Sequence, residues 1–246
     1  MVKRAGSESL TEDVCAQLRD DIFSRQLAPG ERLKPADLCI RFGVSLSVMR
    51  EALGLLAAQD LVKIERNRSF HVTTLSREAL HDLTEARKIN EGAALRLSIE
   101  RGDVAWEAEV LAAHHRLASR PVFLPGDPPI RNNEWSEAHL AFHHRLIEAC
   151  GNQVLLDICV RLSDAAQLYR AWSSSVGGDP HRDLAAEHRA LMEAALDHDD
   201  RAVRLFEAHI ERTAQILLQF EAPEIEHSAL WRPSRAGATA RARKAG

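Results

Sequence analysis

Four histidines are the residues of this chain whose type and spacing best suit metal chemistry. His139 and His143 are four residues apart, so in a helix both side chains project from one face. That face also carries Leu146, Ile147 and Cys150, which predicts that it points into a core. A neutral imidazole offers a nitrogen lone pair that suits zinc, nickel, cobalt or copper.

Two further histidines have apolar neighbours on other helical segments. His188 lies between Leu184 and Leu191, and His209 follows Phe206 by about one turn. The four imidazoles are therefore predicted to point from three helices into one core. Each would cost about 1–3 kcal/mol if buried without a partner, and a metal removes much of that cost. The alternative for any single one is a hydrogen-bonded core histidine, and the remaining histidines show no shared inward arrangement.

Arg87 is the charged side chain predicted to share that cavity. It lies on the apolar face of a long helical segment with Leu80 and Leu83, and Glu91 follows one turn later. One interpretation is a structural ion pair between Arg87 and Glu91. The other is that Arg87 holds a carboxylate of a small effector while the metal takes another oxygen.

The helices that position these side chains are predicted from apolar periodicity, caps and chain breakers. They cover about 10–26, 76–102, 103–118, 132–149, 152–173, 183–197 and 199–221. The proline-rich stretch before residue 132 is predicted to be a loop. Residues 76–222 are thus predicted to form an all-α antiparallel helical bundle, the effector and metal-binding domain. Residues 1–8 and a basic tail, 223–246, are predicted to be disordered.

Residues 1–75 carry a different pattern, that of a winged helix-turn-helix. A short helix is followed by a turn at Gly43 and by a second helix that Ser45 or Ser47 can cap. One face of the second helix is apolar, with Met49, Ala52, Leu53 and Leu56. The opposite face carries Leu46, Ser47, Arg50 and Gly54. This outward face, centred on Arg50, is the one predicted to meet base edges.

Two strand-like runs, 61–65 and 70–73, follow the second helix and predict a small β hairpin. The polar run between them includes Arg66, Asn67 and Arg68, so two guanidinium groups lie at the predicted tip. Such a tip can reach a phosphate or a minor groove. An ordinary helical domain with a solvated hairpin is the alternative, but a wing at this place favours DNA binding.

Composition excludes several other classes of protein. Residues 1–75 carry 11 Lys and Arg against 10 Asp and Glu, whereas residues 76–230 carry 16 against 26. A near-neutral first domain joined to an acidic body fits a specific DNA binder. No apolar run approaches the roughly 18 residues of a membrane span, and the N-terminus lacks an apolar signal region. The four cysteines show no C-x-x-C spacing. The chain is therefore predicted to be cytoplasmic, with no membrane partner.

The first domain resembles the GntR family of bacterial transcription regulators. The resemblance rests on PGERL at 29–33, GVSLSVMREAL at 43–53 and the wing. The residues predicted to contact DNA are then Ser45, Leu46, Ser47, Arg50, Arg66, Asn67 and Arg68. Leu46 stands where the family commonly has a base-contacting Arg, and it offers only apolar contact, for example to a thymine methyl.

The second domain resembles the ligand-binding (FCD-type) domain of the FadR-like branch of that family. The matching stretches are WSEAHLAFHHRLIEACGN at 135–152, EHRALMEAAL at 187–196 and AHIERT at 208–213. Many members bind a divalent metal through an acid or histidine and three further histidines, which implies His139, His143, His188 and His209 here. The first place is more commonly Asp, so a four-histidine site favours zinc or nickel. The resemblance also implies effector binding by Arg87 and Glu91.

These features predict a metabolite-responsive transcription regulator that binds a palindromic operator as a homodimer. A repressor is favoured over an activator. Its effector is predicted to be a small carboxylate. A metal-dependent hydrolase is the first alternative, but it needs a general base, and no acid is predicted beside the histidines. A helical metal-binding or interaction module whose first domain binds protein is the second alternative.

Overall fold

The structure is a computed structural model that describes residues 5–65, 69–126, 130–173 and 182–219. It contains two groups of elements, which we call the winged-helix unit (residues 5–72) and the helical unit (residues 77–219). None of the helices in these described ranges is both long and apolar enough to cross a membrane. The predicted basic tail, 223–246, lies outside the described residues.

The described part of the winged-helix unit contains three helices and a three-stranded antiparallel sheet. Its elements are α1 (Ala5–Phe23), β1 (Arg32–Leu33), α2 (Pro35–Phe42), α3 (Leu46–Ala58), β2 (Val62–Ile64) and β3 (Phe70–Val72). The sheet order is β1-β3-β2, and His71 of β3 is paired with Arg32 on one side and Lys63 on the other. Strand β1 was not predicted, because two residues are too few to show an alternating pattern.

The turn between α2 and α3 has the geometry that the sequence predicted. Gly43 ends α2 in the left-handed conformation, with φ of 67°, which glycine adopts without steric cost. The predicted apolar face of α3 is buried throughout, and it packs against Val14, Leu18 and Ile22 of α1. The opposite face of α3 is consequently left towards solvent.

Helix α1 differs from its predicted range of 10–26 at both ends. It begins at Ala5, inside a segment predicted to be disordered, and ends at Phe23. The end is explained by Arg25, whose φ of 66° is left-handed. The amides of Gln26 and Leu27 then both bond to the carbonyl of Asp21, which closes the helix.

Within the described ranges, the helical unit contains six α-helices, as predicted for the bundle. They are α4 (Arg77–Arg101), α5 (Val104–Ala118), α6 (Asn133–Ile147), α7 (Gln153–Ser173), α8 (Leu184–Leu196) and α9 (Arg201–Gln219), with a short 3-10 turn at Glu148–Cys150. Side chains cap the N-termini of α4, α5, α6 and α8, namely Ser76, Asp103, Asn132 and Asp183.

The described part of the proline-rich stretch between α5 and α6 contains two short strands where the sequence predicted a loop. It contains a two-stranded antiparallel ladder, β4 (Phe123–Leu124) and β5 (Ile130–Arg131). Asn132 connects this ladder to α6, because its side-chain amide nitrogen donates to the Pro121 carbonyl while its side-chain oxygen accepts from the Glu134 amide and caps the helix. The ladder ends at Arg131, two residues before α6 begins.

Helix α7 belongs to both units. Its Cys159 lies in the core of the helical unit, whereas Leu168 lies in the core of the winged-helix unit. Polar contacts also join α7 to the winged-helix unit. Arg19 pairs with Asp164 at 2.8 Å, Arg25 donates to the Ala171 carbonyl, and Trp172 Nε1 donates to the Ile22 carbonyl at 3.2 Å. The two units are therefore joined through a packed and hydrogen-bonded helix.

Candidate functional site

The four predicted histidines come together in the helical unit, and we call them the histidine cluster. His139 and His143 lie on α6, His188 on α8 and His209 on α9. One ring nitrogen from each lies within 4.8 Å of those of the others, and all four side chains are buried. This is a set of nitrogen donors that could hold one metal ion.

Packing of aromatic side chains holds the rings of the cluster in place. The Trp135 ring stacks on His139, with centroids 4.8 Å apart, and the edge of Phe206 meets His143 at 5.1 Å. Within the cluster, His139 and His143 are 4.2 Å apart and His188 and His209 are 4.8 Å apart, centroid to centroid. The i, i+4 spacing on α6 produces the first pair directly.

The protonation state of the cluster suits a metal. Burial, followed by the charges of the neighbouring histidines, lowers the pKa of His139 and His143 well below 6.5, and burial lowers the pKa of His188 to about 2. The rings are thus neutral at pH 7. The Nε2 atoms of His143 and His188 are buried and have no hydrogen-bond partner among the described residues. Such orphaned nitrogens cost about 1–3 kcal/mol each, and a metal ion would satisfy them.

His209 is oriented by an acid that the sequence analysis missed. Its Nδ1 lies 2.9 Å from Glu187 Oε2, and Arg182 Nη2 donates to the same oxygen at 2.7 Å. Although burial opposes it, these hydrogen bonds lower the pKa of Glu187 to about 2. Because an ionised carboxylate only accepts, Nδ1 carries the hydrogen and Nε2 keeps the lone pair that a metal needs.

The expectation that no acid lies beside the histidines was therefore wrong. The only hint in the sequence is that Glu187 lies next to His188. In the structure, however, Glu187 bonds to His209, which is 22 residues further along the chain. The arrangement is that of a carboxylate–histidine pair of the kind that supports metal ligands, and it does not resemble a free general base. Arg212 also approaches Glu187, at 3.4 Å.

Arg87 and Glu91 form a buried ion pair beside the cluster. Arg87 Nε and Nη2 bond to the two Glu91 oxygens at 2.6 and 3.0 Å, and both side chains are at most 5% exposed. After burial and the charges of His209 and His188, the charge of Arg87 also contributes to the lowered pKa of His143. The structural interpretation of the pair is thus observed. The pair uses two of the three guanidinium nitrogens.

Two more arginines near the cluster were not singled out from the sequence. Arg131 of β5 lies over the Trp135 ring at 5.7 Å, and burial lowers its pKa to about 10. Arg170 of α7 has its pKa lowered to about 9 by burial and by the charges of Arg87 and Arg131. No spacing rule links these positions in the sequence, because they come from different elements.

The N-terminus and outward face of α3 bring together four of the predicted DNA-contacting side chains, those of Ser45, Leu46, Ser47 and Arg50. Ser45 caps the helix by accepting from the Val48 amide at 3.4 Å, and its hydroxyl lies 2.9 Å from that of Ser47. Leu46 is 49% exposed, and Ser47 and Arg50 are also exposed. Arg66, Asn67 and Arg68 at the wing tip lie outside the described residues.

Two family models match most of the chain. The model described as "Bacterial regulatory proteins, gntR family" matches residues 10–72, and the FCD domain matches residues 82–212. Their limits coincide closely with the two units described above.

Individual proteins match along nearly the same length. The chain is 37% identical to an uncharacterized HTH-type transcriptional regulator, BphR of Paraburkholderia xenovorans, over 88% of each chain. It is 31% identical to the HTH-type transcriptional repressor GlaR of Escherichia coli, over 82% of this chain and 93% of that one. The structure of E. coli McbR/YncC shares the fold, with a TM-score of 0.68 at 19% identity over 85% of this chain and 97% of that one.

Proposed function

Because this chain belongs to the GntR family of bacterial regulatory proteins and carries an FCD domain, we propose that it is a dimeric repressor. A small carboxylate bound to a metal ion in the helical unit would either release it from DNA or recruit it to DNA. Family membership makes it a DNA-binding transcription regulator and sets aside the hydrolase alternative. The observation that carries the proposed effector site is the histidine cluster, with its ring nitrogens within 4.8 Å of one another.

We assign the metal to His139, His143, His188 and His209. Four neutral imidazoles favour zinc or nickel over magnesium or calcium, which prefer oxygen ligands. The bound ion would supply a positive charge that accepts a carboxylate oxygen of the effector. Glu187 would fix the tautomer of His209, and Arg87 would offer its remaining guanidinium nitrogen to the effector.

The proposed DNA contacts lie on α3 and on the wing. Arg50 would meet base edges in the major groove, Leu46 would make apolar contact, and Ser45 and Ser47 would reach the backbone. Arg66, Asn67 and Arg68 would contact phosphate or the minor groove. A homodimer would place two such surfaces on a palindromic operator. Support for repression comes from relatives described as repressors.

Replacing Arg50 with alanine is expected to weaken operator binding by about 10- to 100-fold, because one base-contacting arginine typically contributes about 1–3 kcal/mol. Binding to unrelated DNA should change much less. Gel retardation with the upstream region of the chain's own gene, at fixed salt, measures both. Arg204→Ala, which removes an exposed arginine of α9, is the matched control. Equal loss in both variants would contradict the assignment.

Removing the Arg87 side chain is expected to abolish the response to the effector while metal binding persists. A single Arg87→Ala change would strand the buried Glu91 charge and destabilise the fold. The double variant Arg87→Ala/Glu91→Ala removes both charges together and is the better test. Metal content, thermal stabilisation by small carboxylates and effector-dependent release of DNA are the measurements. If the double variant still releases DNA in response to the same carboxylate, this role for Arg87 is ruled out.

A further inference from the structure

Arg182 is a buried arginine that contacts two of the helices around the histidine cluster. It directly precedes Asp183, the N-cap of α8, and its side chain is only 6% exposed. Nε of Arg182 donates to both oxygens of Glu187, at 3.0 and 3.1 Å, and Nη2 donates to Oε2 at 2.7 Å. Nη2 also donates to the backbone carbonyl of His209 at 3.3 Å. One guanidinium group therefore holds the start of α8 against α9.

Glu187 has a second arginine as a neighbour, on its solvent-exposed side. Arg212 Nη1 lies 3.4 Å from Oε1 of Glu187, and the Arg212 side chain is 45% exposed. The Glu187 side chain is itself 23% exposed, so its carboxylate is not enclosed and can turn outwards. Arg182 opposes that movement, because a planar guanidinium group that bonds both oxygens fixes the orientation of a carboxylate. The inward position of Glu187 thus depends on Arg182.

The orientation of Glu187 decides which ring nitrogen of His209 carries the hydrogen. Oε2 of Glu187, which accepts from Arg182 Nη2, also lies 2.9 Å from His209 Nδ1. A carboxylate oxygen at this distance requires a hydrogen on Nδ1, which leaves the lone pair on Nε2. If the carboxylate turned away, Nδ1 would instead accept from a donor such as water, and the hydrogen would move to Nε2. That hydrogen would block the nitrogen that a metal needs.

From this geometry we infer that Arg182 is a positioning residue for the metal: it keeps Glu187 against His209, so that Nε2 of His209 offers its lone pair to the ion. The role does not require Arg182 to touch the ion. The inference rests on the proposed metal site and extends it to the residue that orients Glu187. Lysine would replace Arg182 only in part, since an ammonium group is a point charge without the two-pronged geometry of a guanidinium group.

The tautomer of His209 in the metal-free, full-length protein gives the most direct test. Long-range nitrogen–proton correlation spectra of protein with isotopically labelled histidine show which ring nitrogen carries the hydrogen. We expect the hydrogen on Nδ1 in the wild type. In Arg182→Met, whose side chain is unbranched but has no donor, we expect a mixture of both tautomers. Signals that are lost in His209→Gln identify the ring.

Zinc affinity, measured by competition with a chromogenic chelator, is the second measurement. It is expected to fall about 10- to 100-fold in Arg182→Met, as is typical when an outer partner of a metal ligand is lost. Arg182→Lys should recover part of the affinity. Adding Arg212→Met to Arg182→Met should also recover part, because the carboxylate then has no outer arginine to turn to. Arg204→Met, which removes an exposed arginine from α9, should bind zinc as the wild type does.

Unchanged zinc affinity in Arg182→Met overturns the inference while the histidine cluster stands as the metal site. A loss of affinity without any shift of the His209 tautomer also overturns it, because Arg182 would then act through packing alone. The melting temperature shows whether each variant is folded, and if Arg182→Met is not, the same two comparisons are made on Arg182→Lys. If the wild type binds no zinc, the proposed metal site fails, whereas the spectra still decide whether Arg182 orients His209.

Discussion

Replacing His143 with alanine is expected to lower zinc affinity by two to three orders of magnitude or more. The change removes one of four ligands and leaves a cavity between Phe206 and the other rings. Loss of an outer partner of a metal ligand typically costs about 10- to 100-fold, and loss of a ligand itself should cost more. Competition with a chromogenic chelator on protein prepared without a His-tag measures the affinity.

Two further variants give this experiment a graded series. Glu187→Gln keeps the shape of the side chain but weakens its hydrogen bond to His209 Nδ1. The zinc affinity of this variant should therefore lie between those of the wild type and His143→Ala. His115→Ala removes an exposed histidine from α5 and should bind zinc as the wild type does. If all three variants bind zinc equally, the histidine cluster is not the metal site.

The metal-free protein is expected to lose about 3–5 kcal/mol of unfolding free energy between pH 7.5 and pH 5.5. The pKa values of His139, His143 and His188 are lowered on folding, so the unfolded chain binds more protons and stability falls as pH falls. Each histidine that stays neutral when folded contributes about 1.4 kcal/mol over this range, for an unfolded pKa near 6.5. His209 adds a share in the same direction.

One histidine works in the opposite direction. Hydrogen bonds to Glu107 and to the Ile99 carbonyl raise the pKa of His198, so its contribution is present at low pH and is lost as pH rises. Urea unfolding in the presence of chelator, at several pH values, measures the net slope. His188→Leu should reduce that slope by about one histidine's share, whereas His115→Leu should not. An unchanged slope in His188→Leu would show that the buried ring is not held neutral.

Helical periodicity was sufficient to predict the histidine cluster. The i, i+4 spacing fixed the relation of His139 to His143, and apolar neighbours indicated the inward faces on α8 and α9. The same reasoning predicted both faces of α3, because its apolar residues recur at helical spacing on one side and leave the polar residues on the other. Caps were predictable where a single serine preceded an apolar run, as at Ser76.

Contacts between elements distant in sequence were not predictable in this way. By its position on α8, Glu187 is predicted to be a surface residue. Its hydrogen bond to His209 on α9 becomes evident only when the two helices are packed together. Arg131 depends on a strand of two residues, too short to show alternation. Arg170 lies on a helix with two buried sides, so periodicity alone does not separate the side that faces the cluster from the side that faces α1.

Helix α7 also limits how this protein can be recombined with its relatives. Leu168 completes the apolar interior around α1, and Trp172 and Asp164 bond to backbone and side-chain groups of that helix. A chimera cut between β3 and α4 would join this DNA-binding half to a foreign α7 whose side chains do not match. Operator preference and ligand preference are thus not independently transplantable unless the α1–α7 contact surface is transferred along with them.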